Sequence, residues 1–151
     1  MAIEVSEARM ELLRGLPLFE GVGDEELGTV GGLLDDIEVE AGEVLTTEGV
    51  AGCEAFLIVS GTAEVFVGGR RIATLERGAL FGEMAVLDGE PRSATVRAAT
   101  PMLLLVAGSE ELSIMVAMPA IAVRMLRTLA GRLREANAAA AIQSAPGTER
   151  A

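Results

Sequence analysis

The chain contains no histidine, lysine, tryptophan or tyrosine, and only one cysteine, Cys53. Without histidine there is no imidazole base and no His-ligated metal centre. Without lysine, a P-loop and a Schiff-base mechanism are excluded. A single cysteine allows neither an intrachain disulfide nor a cysteine-cluster zinc site. With no imidazole to activate it, Cys53 reads as an incidental exposed thiol rather than a nucleophile. Long apolar stretches are missing as well. The longest, Met102–Ala107, is far short of the roughly 18 residues of a membrane span. The first residues, Met1 to Glu7, are acidic and lack the basic start and apolar core of a signal peptide. The expectation is a cytoplasmic protein without membrane association.

What is present is enough for one domain with a real core: 151 residues, half of them apolar. All twelve basic residues are arginines, against 23 Asp and Glu, for a net charge of −11. Residues 1–60 hold fourteen acidic residues and two arginines, whereas residues 61–151 hold nine and ten. An acidic chain lacks the phosphate-neutralising field on which non-specific nucleic-acid affinity depends, so no nucleic-acid partner is expected. Any anionic ligand must be held locally, in the arginine-bearing second half.

Residues 1–34 read as helical, with Ile3, Ala8, Leu12, Leu13 and Leu16 at helical spacing before Pro17. A second segment follows, with Asp24 expected as N-cap and Leu27, Val30, Leu33 and Leu34 on one face. Gly28, Gly31 and Gly32 weaken it by up to about 1 kcal/mol each, so it must rely on packing. Residues 35–107 read as short strands: Ile37–Val39, Phe56–Val59, Thr62–Val67 turning through Gly68-Gly69 into Arg70–Glu76, Ser93–Ala98 and Met102–Val106. Strands this short, with no room for helical crossovers, indicate a β-sandwich or barrel. Helix returns over residues 109–141. There Ala122, Leu126, Leu129, Leu133, Ala136 and Ala140 recur at spacings of 4, 3, 4, 3 and 4, a heptad seam that suits either its own domain or a homodimer. Residues 1–141 are thus expected as one domain, with a disordered tail over 142–151.

One segment carries chemistry: Phe81-Gly-Glu-Met-Ala-Val-Leu-Asp-Gly-Glu-Pro-Arg-Ser-Ala-Thr95. Gly82 permits a tight turn into a single helical turn over Glu83–Leu87, whose N-terminus offers free N–H groups to an anion. Asp88-Gly89 ends it, and Pro91 stiffens the approach to Arg92. A helix N-terminus, an arginine and the Ser93 hydroxyl suit one phosphate, through bonds of about 1.5–3 kcal/mol each. Glu83 would repel that phosphate, but suits a sugar hydroxyl of the same ligand. Alternatively Glu83 is an ordinary first-turn residue, Arg92 a solvated turn residue and Ser93 a strand edge. Asp88 and Glu90, in a Gly/Pro turn, read as solvated loop residues rather than as an acid/base pair.

This segment resembles the phosphate-binding cassette of cyclic nucleotide-binding domains, the family of the catabolite activator protein and the protein kinase A regulatory subunit. Phe81–Leu87 and Pro91–Thr95 match its two halves, and Gly42, Gly49, Gly61, Gly78 and Gly82 match the family's turn glycines. The similarity runs over about residues 15–137. It implies a mainly β fold: an antiparallel β-roll with N-terminal helices, a short cassette helix and a long C-terminal helix. It implies that Arg92 pairs with a cyclic phosphate and Glu83 accepts the ribose 2′-hydroxyl. Phe81, Gly82, Met84, Ala85, Ser93 and Ala94 would line the pocket. For the base, the C-terminal helix offers Leu133, Ala136 and Asn137, the last either a purine contact or an exposed helix residue. Ser93 points to cAMP, with cGMP open.

Too few residues follow Ala139 for the DNA-binding domain of the activator proteins. The expectation is therefore a stand-alone cAMP sensor, not an enzyme, that signals to an unidentified effector protein or through a homodimer. The alternative is a structural or oligomerisation module that keeps the roll without binding nucleotide.

Overall fold

A computed structural model describes residues 5–144. Two apolar runs, Ala55–Val59 and Met102–Ala107, become adjacent strands covered on both faces. These are β3 (Glu54–Ser60) and β8 (Met102–Gly108), which pair antiparallel with Phe56 opposite Val106 and Ile58 opposite Leu104. Their residues alternate between two cores. Phe56, Ile58, Leu104 and Val106 point to a second sheet, with Val96 and Ala98 packed against them. Ala55, Leu57, Val59, Leu105 and Ala107 point to the helices. Apolar layers on both sides explain why these strands read as continuous runs, whereas a half-buried strand alternates.

Strand β1 (Asp35–Val39) flanks β8, and β6 (Leu80–Phe81) flanks β3, giving one sheet in the order β1-β8-β3-β6. The second sheet, in the order β2-β7-β4-β5, joins Val44–Thr46, Thr95–Ala98, Ala63–Val67 and Arg70–Leu75. All strand pairs are antiparallel. The β4–β5 turn is the anticipated Gly68-Gly69, with φ of 60° and 78°, the positive values that a two-residue hairpin turn with native twist requires. This is the expected β-roll with flanking helices.

Helices α1 (Glu7–Arg14) and α2 (Asp24–Leu33) pack on the outer face of the first sheet, with a short 3-10 turn at Pro17–Phe19 between them. Asp24 is not the N-cap. Gly23 is, in extended conformation, and Asp24, Glu25 and Glu26 form the first turn, where carboxylates complement the helix dipole. The glycine cost in α2 is offset by packing: Leu27 and Val30 are fully buried, and a side chain on Gly31 would meet Val5 at 2.9 Å.

After the roll, α3 (Glu83–Asp88) lies in the β6–β7 connection, and α4 (Ser109–Val116) follows β8. The long α5 (Pro119–Ser144) starts after a break and is bent 102° from α4. Among the described residues, no single helix is long and apolar enough to cross a membrane. Ile121 and Met125 anchor α5 in the helix-side core. The heptad stripe is not what packs here, since Leu126 and Leu133 are 65% and 61% exposed. Helix α5 continues to Ser144, three residues into the stretch anticipated as a tail; residues 145–151 fall outside the described ones.

Candidate functional site

Phe81 starts the site. Opposite Phe56 in the β3–β6 pair, it stacks on that ring at a centroid distance of 5.0 Å and fixes the cassette to the core. The chain then turns at Gly82, whose φ of 82° lies in the left-handed region. A Cβ there would also lie 2.8 Å from Arg92 Nη1 and 2.9 Å from the Glu54 carbonyl oxygen. Helix α3 ends at Gly89, again left-handed, whose N–H donates to the Ala85 carbonyl at 3.0 Å. The Asp88 carboxylate accepts from the Glu90 N–H at 2.9 Å, closing the turn that delivers Arg92.

Arg92 is held along its whole length. Its N–H donates to the Val50 carbonyl at 2.9 Å, and its carbonyl accepts from the Gly49 N–H at 2.8 Å. Its guanidinium turns inward: Nη1 donates to the Gly82 carbonyl and Nη2 to the Glu54 carbonyl, both at 2.8 Å. The side chain lies near Phe56, with Cζ 6.0 Å from the ring centroid. Arg92 is only 8% exposed, and among the described residues no carboxylate lies within ion-pair distance of it. Desolvating an ion costs several kcal/mol unless a counter-charge is supplied. Two neutral carbonyls fix the guanidinium but do not neutralise it, so an anion placed beside it would be favoured electrostatically.

Glu83, the first residue of α3, is 2% exposed. One carboxylate oxygen accepts from Arg132 Nη1 at 2.6 Å, while Arg132 Nη2 donates to the Leu80 carbonyl. Arg132 thus ties α5 to both ends of the β6–α3 turn. A cavity of about 180 Å³ adjoins this bridge, with Leu18, Leu80, Glu83, Met125, Leu129 and Arg132 among its walls.

The anticipated residues divide accordingly. Phe81, Gly82, Glu83, Ala85 and Arg92 form a largely buried cluster at the start of the cassette and its returning turn. Met84 is 47% exposed. Ser93 is exposed and precedes the strand, which begins at Thr95; Ala94 is half-buried, and its carbonyl accepts from the Thr46 hydroxyl at 3.0 Å. Asn137 is exposed on α5, and the helix reaches the cassette five residues earlier, through Arg132. Arg132 lies off the heptad stripe and meets Glu83 across 49 residues of sequence, so its role is hidden in the sequence. Only its face is signalled, by Ile121, Met125, Thr128 and Arg132, which recur at helical spacing on the side toward the roll.

A model of the cyclic nucleotide-binding domain matches residues 36–117, more than half of the chain. The chain belongs to the cyclic nucleotide-binding domain family. Domains of this family generally act as sensors, not as enzymes. Among its relatives, the cAMP-dependent protein kinase regulatory subunit of Emericella nidulans is 39% identical over 90 residues, covering 58% of this chain and 22% of that protein. The cyclic AMP receptor protein of Thermus thermophilus is 34% identical over 131 residues, covering 83% of this chain and 61% of the relative. The crystal structure of the Thermus thermophilus catabolite activator protein superposes with a TM-score of 0.75 at 32% identity, over 85% of this chain and 63% of that one. The chain therefore spans less than two thirds of these relatives. The five anticipated turn glycines of the family pattern all have positive φ.

Proposed function

We propose that this cyclic nucleotide-binding domain is a sensor of cAMP, with cGMP a weaker ligand, and that residues 1–141 act as one responsive unit without catalysis. The observation that carries this function is the buried, uncompensated Arg92 guanidinium. The negative charge of a cyclic phosphate supplies what the protein withholds, with free N–H groups of the first α3 turn and of Ser93 beside it. Glu83 accepts the ribose 2′-hydroxyl. The relatives named for cAMP support the choice of nucleotide.

Relay follows from the partner Glu83 already has. Its carboxylate is shared between the ligand and Arg132 of α5, so occupancy and helix position are coupled. A ligand moves that equilibrium only by its differential affinity for the two arrangements. Amide hydrogen exchange tests this: saturating cAMP is expected to change protection in both the cassette and residues 119–141. A change confined to the cassette would contradict the relay.

A second reading concerns association. The exposed Leu126 and Leu133 of α5 favour a homodimer along the heptad stripe, with an effector protein as the other candidate partner. Leu126→Glu and Leu133→Glu are expected to leave the intrinsic melting of the monomer nearly unchanged, because both positions face solvent in the single chain. In sedimentation the same variants should convert a dimer to monomer; a wild-type chain that is monomeric with and without cAMP removes the dimer.

A further inference from the structure

We propose that Gly52 is a positioning residue for Arg92: the missing side chain at position 52 is what leaves room for the guanidinium in the geometry that meets a phosphate. This inference rests on the cyclic nucleotide reading for its functional consequence and on the structure alone for its geometry. Gly52 lies in the loop between β2 and β3. A Cβ there would sit 2.0 Å from Arg92 Nε, 2.4 Å from Cζ and 2.6 Å from Nη2. All three separations are far inside van der Waals contact, where two unbonded heavy atoms need about 3.5 Å.

Gly52 differs from the turn glycines of the roll. It is not among the residues with positive φ, so its backbone suits an L-residue and conformational strain does not account for the glycine. Gly82 gives no such separation of causes, since its φ of 82° would strain any side chain. At position 52 the obstacle is the guanidinium. A methyl group there must push it by more than 1 Å, and the two 2.8 Å bonds to Gly82 and Glu54 do not both survive such a shift. A bidentate fork depends on orientation as well as charge, so a displaced Arg92 meets the phosphate poorly although its charge is intact.

The test is a double-mutant cycle on the full chain, with Gly52→Ala, Arg92→Ala and the combination, read by calorimetric titration with cAMP and by thermal unfolding without ligand. Gly52→Ala is expected to weaken cAMP binding by about tenfold or more, the loss of one charge-assisted contact. The double variant should bind no more weakly than Arg92→Ala alone. In unliganded melts, Gly52→Ala should lower Tm when Arg92 is present and have little effect once Arg92 is alanine, because the vacated space admits the methyl. If Gly52→Ala alone does not fold, recovery of a folded double variant supports the same conclusion, and failure of both overturns it. Wild-type-like binding and melting for Gly52→Ala, or effects that simply add, would also overturn it. A wild-type chain that binds no cyclic nucleotide refutes the proposed function, and the unliganded melts still decide whether Gly52 sets Arg92.

Discussion

Arg92→Ala is expected to weaken cyclic nucleotide binding by about 100-fold or more while leaving the unliganded fold near wild-type stability. The two halves of this expectation have one cause. In the unliganded protein, Arg92 gains two charge-assisted bonds to carbonyls, worth about 1.5–3 kcal/mol each. Against these stands a desolvation cost of several kcal/mol for a buried ion without a counter-ion. The terms nearly cancel, so truncation changes Tm little. Binding is different, because in the proposed site this guanidinium meets the ligand's charge, and two charge-assisted bonds exceed the approximately 2.7 kcal/mol that corresponds to 100-fold. Thermal shift offers a direct reading. Nucleotide at about 100 times its Kd stabilises the wild type by about 2.7 kcal/mol, or roughly 5–10 °C for a domain of this size. The variant should show no shift at the same concentration. A variant that retains the full shift would remove Arg92 from the site.

Glu83→Ala is expected to have the second largest effect, on selectivity more than on affinity. Glu83 is buried and acts as an acceptor. A site built to bond a substrate hydroxyl discriminates against the analogue that lacks it, because the buried acceptor is then left unpaired. The wild type should prefer cAMP over its 2′-deoxy analogue by about tenfold or more, and Glu83→Ala should bring that ratio near one. The same substitution removes the carboxylate that anchors Arg132, so amide exchange in α5 should rise without ligand. Glu83→Gln keeps an acceptor oxygen and should retain part of the discrimination. Equal selectivity in wild type and Glu83→Ala would place the ribose contact elsewhere.

Much of this architecture was legible because local pattern and tertiary context agreed. The Thr62–Val67 alternation, the paired turn glycines and the buried runs of β3 and β8 each specify a strand without help from the rest of the chain. Strands β2 and β6 were not legible. They are three and two residues long, and their partners define them: β6 exists because Phe81 sits opposite Phe56. At Asp24 and Ser93 the boundary moved by one or two residues because local roles compete. Gly23 takes the extended cap, and residues 92–94 bend so that Arg92 turns inward, delaying the strand to Thr95.

The candidate site divides along the same line. Its chemistry was readable in Phe81–Leu87 and Pro91–Thr95, since residue types at fixed short spacing define an anion cradle. The bridge from Arg132 to Glu83 spans 49 residues of sequence and depends on which face α5 presents after its bend. Gly52 was similarly opaque, because only the folded chain brings it against Arg92.

The proposed function rests on the buried, unpaired charge of Arg92 as the partner of a cyclic phosphate. With neither tryptophan nor tyrosine in the chain, intrinsic fluorescence reports little, and the direct test is calorimetric titration of the purified protein with cAMP and cGMP. The expected result is saturable one-to-one binding, with cAMP the tighter ligand and Kd well below about 100 μM, equivalent to more than roughly 5.5 kcal/mol. A folded chain that binds neither nucleotide at that concentration would contradict the account.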